Sequence, residues 1–362
     1  MNETAAESLC VSSSKNQSDG VVDDDEDVRI SELRKISYGF IMPTICLLGI
    51  VGNVLNLVVL TRRNMQGRAY IYMRAYSTAS LVAISFCIPF ALRVLIAKEK
   101  GGWTSWFQAF YHVHLELYLG NSCLGVCVMT LLALTVERHS SVCRLRPTSN
   151  LAASGATFQR GLSPRLTLLL LALGTFFLYL PTIFRAEMSS CISARLNYQR
   201  LYQQRDNRPL LQSAFYQVYQ VMLELVFKIG PTLLLAGLNL RIMLVYRRAC
   251  NKRRRRRQSG GGYLAEERRL MLLLGSTSLL FLVCVSPMVF LNLTLSQDNL
   301  AHFAYQVFRA LANLLEVTNY SLTFYIYCLF SEDFRNTLRR TFTGASSVGT
   351  SIQQQRTPSP IS

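Results

Sequence analysis

Charge is the first thing this chain is short of. Only 16% of its 362 residues are Asp, Glu, Lys or Arg, while 50% are apolar, against roughly 25% charged in a soluble domain. The deficit is uneven: long stretches are almost free of charge, and the tails and two loops hold most of it. This excludes an ordinary cytosolic globular domain and a disordered chain. The 10 cysteines are scattered and sit mostly inside apolar runs, which excludes a secreted disulfide scaffold. No apolar run opens the sequence: residues 1–37 are polar and acidic. A cleavable signal peptide is therefore not expected, and the first apolar span is expected to direct insertion. No internal repeat is visible, which speaks against the paired half-repeats of a transporter.

What is present is a set of seven apolar segments, about 38–61, 71–97, 108–137, 164–184, 212–246, 268–295 and 302–329. Each is long enough to cross roughly 30 Å of hydrocarbon. Internal prolines such as Pro43, Pro89, Pro231 and Pro287 are tolerated there because neighbouring helices satisfy the freed backbone groups. Continuous apolar runs, rather than short alternating ones, exclude a β-barrel. The reading is an all-α membrane protein: a seven-transmembrane helix bundle with a short amphipathic eighth helix. Its parts are an acidic tail over 1–37, the bundle over 38–329, a membrane-surface helix over 330–342 and a disordered tail over 343–362, rich in Ser, Thr, Gln and Pro.

The net charge of +17 invites a nucleic-acid reading, but its location argues otherwise. The densest run, Lys252 to Arg257, lies between two membrane-length segments, as a juxtamembrane cluster would. The loops on the C-terminal side hold 24 of the 38 basic residues against four acids, an excess that places the C-terminus in the cytoplasm. The N-terminus is then outside, where the sequons at Asn2 and Asn16 can be glycosylated. Residues 331–342 carry Phe334, Leu338 and Phe342 on one face, a pattern for a helix lying on lipid.

Gly52-Asn53 lies in the first span, Glu137-Arg138-His139 closes the third, Phe281, Cys284 and Pro287 lie in the sixth, and Tyr327 ends the seventh with Phe334 seven residues later. In this order and spacing the chain resembles a rhodopsin-like (class A) G-protein-coupled receptor over residues 38–342. Within that family it looks most like the invertebrate FMRFamide-type neuropeptide receptors. The supporting residues are Asn319 and Phe324 to Tyr327 in the seventh span, Leu238-Asn239-Leu240-Arg241 in the fifth and Thr135-Val136-Glu137-Arg138 in the third. The resemblance implies a plasma-membrane receptor, not an enzyme, with no cofactor, no metal and no nucleic-acid partner. Its partners would be an extracellular peptide, a heterotrimeric G protein, membrane lipid and arrestin at the Ser/Thr tail. The alternatives are a receptor-like protein that no longer signals and, more remotely, a transporter or channel.

The resemblance also assigns roles. Arg138 would contact the G protein, and an Arg138–Glu267 pair would hold the third and sixth helices together until activation; both residues could instead be solvated loop-end charges, and Glu266 could replace Glu267. Pro287 kinks the sixth helix, as a lever for its outward swing or as a static bend. The tryptophan expected two residues before it is Val285, leaving Phe281 for the core rearrangement. Ionisable groups within a membrane point to function. Glu116 and Glu316 would receive a ligand cation or would pair with Arg93 or Arg309. Glu224 has Lys228 one turn away as a partner. Gly120 stands where amine receptors carry Asp, which argues against a monoamine ligand, and the seventh span has no Lys for a retinal Schiff base. Ser80 replaces the sodium-binding Asp of the second span. Residues 192–210 are basic, read as a solvated flexible patch or as an attractor for the acidic run 23–27 or a charged peptide. Val113 replaces the third-helix cysteine that the family bonds to the second outer loop. Cys10 and Cys191 remain as the outer thiols, to pair with each other, to stay unpaired or to bond between molecules.

Overall fold

The computed structural model describes residues 24–63, 65–96, 101–144, 163–193, 199–255, 261–294 and 302–343; the side chains of 24–27, 101, 141–144, 193, 246–255, 261–274 and 292–293 also lie outside the description. Cys10, Asn2, Asn16 and the tail beyond Thr343 are thus outside the described residues.

Seven helices are found where the seven apolar segments lie. The first runs through Asp24–Arg34, a π-helical stretch Lys35–Ile41, and Met42–Leu60; the second is Arg68–Leu95. The third comprises Trp106–Phe110, a π-helical stretch Tyr111–Leu115, and Glu116–Arg144; the fourth is Pro164–Tyr179, ending in a 3-10 turn Leu180–Arg185. The fifth is Ala214–Glu224, a π-helical stretch Leu225–Ile229, and Gly230–Arg255; the sixth is Gly261–Leu293; the seventh is Phe303–Ser321 and Thr323–Phe330. The helical run of the first helix begins at Asp24, within the stretch expected as acidic tail. A surface helix, Glu332–Thr343, follows.

Among the described residues, five helices are long and apolar enough to cross a membrane, and the sixth contributes an apolar Gly275–Leu291. In the first helix, Cys46, Gly49, Asn53, Asn56 and Leu60 face inward, at the three-then-four spacing of one helical face. Leu47, Val51, Val54 and Val58 face outward and are exposed. The fourth helix exposes Leu169, Leu170, Leu173 and Phe177. Outward leucine and valine with polar Asn53, Asn56, Ser77 and Ser80 fully buried is the arrangement expected in lipid, where apolar surface costs nothing and polar groups must find partners inside.

Small residues let the helices approach. A Cβ at Gly49 would collide with the Ser321 hydroxyl of the seventh helix. One at Gly125 would stand 2.7 Å from Thr175 and 2.9 Å from Tyr179. The contact between first and seventh helices is fixed by Asn53, whose amide donates to the Gly49 carbonyl at 2.9 Å and the Tyr320 carbonyl at 3.0 Å. The two halves of the seventh helix meet at Leu322 without a proline.

With an odd number of helices, Asp24 at the start of the first and Phe330 at the end of the seventh lie at opposite faces, here the N-face and the C-face. The N-face carries a three-stranded antiparallel sheet that the sequence reading did not foresee. β1 is Gly101–Trp103, β2 is Ala186–Ser193 and β3 is Gln199–Asp206, in the order β1-β3-β2. The hairpin pairs Ala186 with Asp206 through to Ser193 with Gln199. The basic stretch expected as a flexible patch is therefore in large part a strand, with Arg200 and Arg205 exposed; Arg195 lies outside the described residues. Underneath, Trp103, Ala109, Val113 and Ala186 are buried together, flanked by Met188 and Tyr202. That cluster seats the sheet on the third helix.

Candidate functional site

The N-face half of the bundle collects the ionisable residues. Arg93 sits in the last turn of the second helix, after Pro89. Its guanidinium Nη2 lies 2.5 Å from Glu116 Oε2, with the two side chains 11% and 8% exposed. Phe90 lies under the guanidinium at 5.6 Å. His112, one helical turn before Glu116, places Nδ1 3.4 Å from the same carboxylate oxygen. Trp103 of β1 stacks on the His112 ring at 5.3 Å. Glu116 therefore has Arg93 as its counter-ion, and the pair is closed in by the sheet.

Across the bundle, Glu224 and Lys228 flank the start of the π-helical stretch of the fifth helix and pair at 3.3 Å, with side chains 35% and 19% exposed. Glu316, on the seventh helix and half-buried, has Lys228 and Glu224 within electrostatic range. It forms no ion pair among the described residues. Arg309, the alternative partner offered by the sequence, is exposed. Cys87 is within electrostatic range of both Glu316 and Glu116. Tyr179 and Tyr320 are within electrostatic range of Glu316. Gly120 leaves room: a Cβ there would meet only Phe86, at 4.0 Å. Of the six ligand-site candidates, Arg93 joins Glu116, Glu224 borders Glu316, Gly120 lines the space beside the third helix, and Arg309 stands apart.

Beneath lies a buried layer. Phe281 and Val285 are 0% and 1% exposed and pack with Cys127, Val128 and Leu131 of the third helix. Pro287 lies inside the sixth helix, and the Ser286 hydroxyl donates to the Leu282 carbonyl in the preceding turn. Ser80 Oγ meets Cys127 Sγ at 3.6 Å, and the Tyr76 hydroxyl lies beside Ser80 and Thr323. All of these groups are neutral.

At the C-face, Glu137 is buried and its Oε1 accepts the Arg68 guanidinium at 3.1 Å. Sequence reasoning missed Arg68, which lies at the start of the second helix with no local spacing to link it to the third. Arg138 is half-buried. The side chains of Glu266 and Glu267 lie outside the described residues, so the expected Arg138–Glu267 pair does too. Tyr327 is buried and meets Phe334 edge-on at 5.6 Å, and Phe324 meets the same ring at 5.9 Å. Arg335 Nη1 donates to the carbonyls of Cys328 and Leu329 at 2.8 and 2.9 Å, satisfying the open end of the seventh helix. Glu332 and Asp333 in the first turn and Arg340 in the last match the dipole of the surface helix.

The comparisons with known proteins decide what this architecture is. The model of the seven-transmembrane receptors of the rhodopsin family matches residues 52–319. The chain belongs to that family. It is 29% identical over 316 residues to one probable G-protein coupled receptor of Caenorhabditis elegans, covering 85% of this chain and 69% of that one. It is 27% identical over 341 residues to a second, covering 90% and 80%. The protein is thus a multi-pass membrane receptor and not an enzyme, of a family whose members take a ligand on one side and a G protein on the other. Arg68–Glu137 and Arg93–Glu116 are ion pairs of this receptor at opposite ends of the same two helices.

Proposed function

We propose that this receptor resides in the plasma membrane with its N-face outside, binds an extracellular peptide through a cationic group, and activates a heterotrimeric G protein from its C-face. The observation that carries the ligand class is the accounting of acids. Glu116 is matched by Arg93 and Glu224 by Lys228, and Glu316, which has no ion pair among the described residues, is the group to receive an incoming cation. The excess of Lys and Arg in the loops on the C-face side supports the orientation. Arg138, with the Glu267 side of the sixth helix, forms the coupling surface, and Phe281, Pro287 and Tyr327 are the moving parts above it. The surface helix, with Phe342 exposed, rests on lipid, and the Ser/Thr tail recruits arrestin once phosphorylated.

The experiment is a screen of amidated neuropeptides on cells expressing the receptor, reading calcium and cAMP, followed by Glu316→Gln and Glu116→Gln. A charge-assisted bond is worth about 1.5–3 kcal/mol. Glu316→Gln should therefore raise the half-maximal concentration at least tenfold, and replacing the peptide's arginine by neutral citrulline should cost the variant nothing further. An unchanged response in Glu316→Gln refutes the assignment. Val285, in place of the tryptophan usual before Pro287, supports a second reading, a receptor-like protein without signalling; a ligand that binds and moves neither readout would establish it.

A further inference from the structure

The exposed apolar face of the first helix, Leu47, Val51, Val54 and Val58, is the side that lipid covers. Its helical spacing carries on to Arg62, one turn beyond Val58. Arg62 therefore leaves the helix on the lipid side, where hydrocarbon gives way to headgroups. The Met65 N–H donates to the Arg62 carbonyl at 2.9 Å, which folds the chain back. Met65 is buried by that turn, while Arg62 and Arg63 are exposed. Met65 packs in one apolar cluster with Val59 and Leu60 of the first helix and Phe334 of the surface helix, with Leu338 against it. That cluster sets the surface helix beside the same turn. Arg339 and Arg340 follow Leu338 and are exposed, and Phe342 beyond them is exposed to the acyl layer.

Four guanidiniums thus share one corner of the C-face. None of the four forms an ion pair among the described residues, and Arg335 is spent on the end of the seventh helix. Glu332 and Asp333 sit at the opposite end of the surface helix, two turns or about 10 Å from Arg339 and Arg340. Like charges held together without counter-ions favour an anion between them.

We propose that Arg62, Arg63, Arg339 and Arg340 form a binding site for the headgroup of an inositol phospholipid phosphorylated on its ring. Basic clusters of this size beside a membrane span or on an amphipathic helix attract anionic lipid. A guanidinium binds phosphate through two parallel N–H donors. A phosphomonoester carries about −1.5 to −2 charge at pH 7, so a headgroup with two of them and its phosphodiester bears about four to five negative charges, a match for four arginines. Phosphatidylserine brings one net charge and does not fill the site. A soluble inositol phosphate offers the same phosphates, but the exposed Val58 and Phe342 beside the arginines favour a molecule that also carries acyl chains. Such lipids belong to the cytoplasmic leaflet, so the site rests on the orientation proposed above; binding in detergent is independent of orientation, and the two readings fail separately.

The test uses the full-length receptor purified in detergent and titrated with fluorescent phosphatidylinositol bisphosphate, with phosphatidylserine and inositol trisphosphate as competitors. The bisphosphate lipid should bind at least about tenfold more tightly than either competitor, as two further guanidinium contacts would provide. Arg62→Gln with Arg63→Gln, and Arg339→Gln with Arg340→Gln, should each weaken it about 25-fold, roughly fivefold per guanidinium. Single substitutions, at about fivefold each, decide the matter where a pair lowers the melting temperature. Lysine at all four positions keeps the charge and should retain most of the affinity. Equal binding of inositol trisphosphate assigns the site to soluble phosphates and overturns the proposal, and equal binding of phosphatidylserine overturns it as well. Full binding by the variant with four glutamines, or binding lost instead when Lys252 to Arg257 are neutralised, also overturns it.

Discussion

Replacing Glu116 by Ala tests the N-face ion pair most directly. Glu116 and Arg93 are 8% and 11% exposed, so deleting the carboxylate takes the ion-pair partner from a guanidinium held largely away from water. Breaking a buried pair from one side costs about 3–5 kcal/mol, while replacing both partners by apolar groups of similar volume is often near neutral. His112 cannot compensate, since it offers no negative charge, and Phe90 contributes only a ring face at 5.6 Å, worth about 0.5–2 kcal/mol whether or not the carboxylate is present. At roughly 2–4 °C per kcal/mol, Glu116→Ala should lower the melting temperature of the detergent-solubilised receptor by about 6–20 °C. Arg93→Met combined with Glu116→Leu should recover most of that loss. The double-mutant cycle should then give a coupling of several kcal/mol, against the roughly 0–1 kcal/mol of an exposed pair. A single-mutant loss under 2 °C, or a double mutant that melts at the sum of the two single losses, would refute the reasoning. If Glu116 serves Arg93 rather than ligand, Glu116→Gln should also leave peptide affinity within threefold of wild type.

Phe334→Ala removes a ring that is 1% exposed and should cost about 3 kcal/mol, read as faster hydrogen exchange in residues 332–343; unchanged exchange would mean that lipid alone holds the surface helix. Arg138→Ala should reach the cell surface and fail to activate G protein on ligand binding, and full signalling by it would remove the coupling role. Arg68→Ala removes one cation from the buried Glu137 carboxylate and should raise basal signalling, whereas Arg68→Lys should restore part of the control. The polar layer around Ser80, Cys127 and Thr323 has no carboxylate to offset a buried cation, so agonist affinity should not change when NaCl is replaced by an organic-cation salt; a several-fold gain that Ser80→Ala abolishes would contradict this.

What was legible in the sequence is what repeats along the chain. The spacing of Cys46, Gly49, Asn53, Asn56 and Leu60 makes the inward face of the first helix readable before any contact is known, and apolar length marks the seven segments. The i,i+4 pair Glu224–Lys228 was legible for the same reason, since both partners lie on one helix. Tyr327 and Phe334 are separated by a single turn of chain, and their meeting follows from the surface helix folding back. The hairpin was not legible. Its strands are polar and charged, its inward residues are only Ala186, Met188 and Tyr202 with Trp103 from another loop, and alternation over so few positions does not stand out. Arg68 was missed because its partner is far along the chain, and the choice between Arg93 and Arg309 depended on which way the second and seventh helices face at their N-face ends.

The sorting of charge by position also bears on the ligand. Arg200 and Arg205 are exposed on β3 together with Asp206, and Glu187 of β2 stands opposite Arg205, while Glu316, which forms no ion pair among the described residues, lies within the bundle. The hairpin thus offers two charges of each sign, so it does not act as a barrier of one sign to an approaching ion. A peptide of mixed charge can use both places: side chains of either sign can pair on the hairpin while its cationic group reaches the seventh helix. The third helix adds a constraint of shape, since Gly120 leaves open the space where an amine receptor would present a carboxylate. The proposed ligand therefore differs from a small amine in what it meets on the third helix, where Gly120 stands and Glu116 is taken by Arg93. A longer ligand of mixed charge satisfies both places at once, which is why the proposal is a peptide with an internal or terminal cation rather than a free amine.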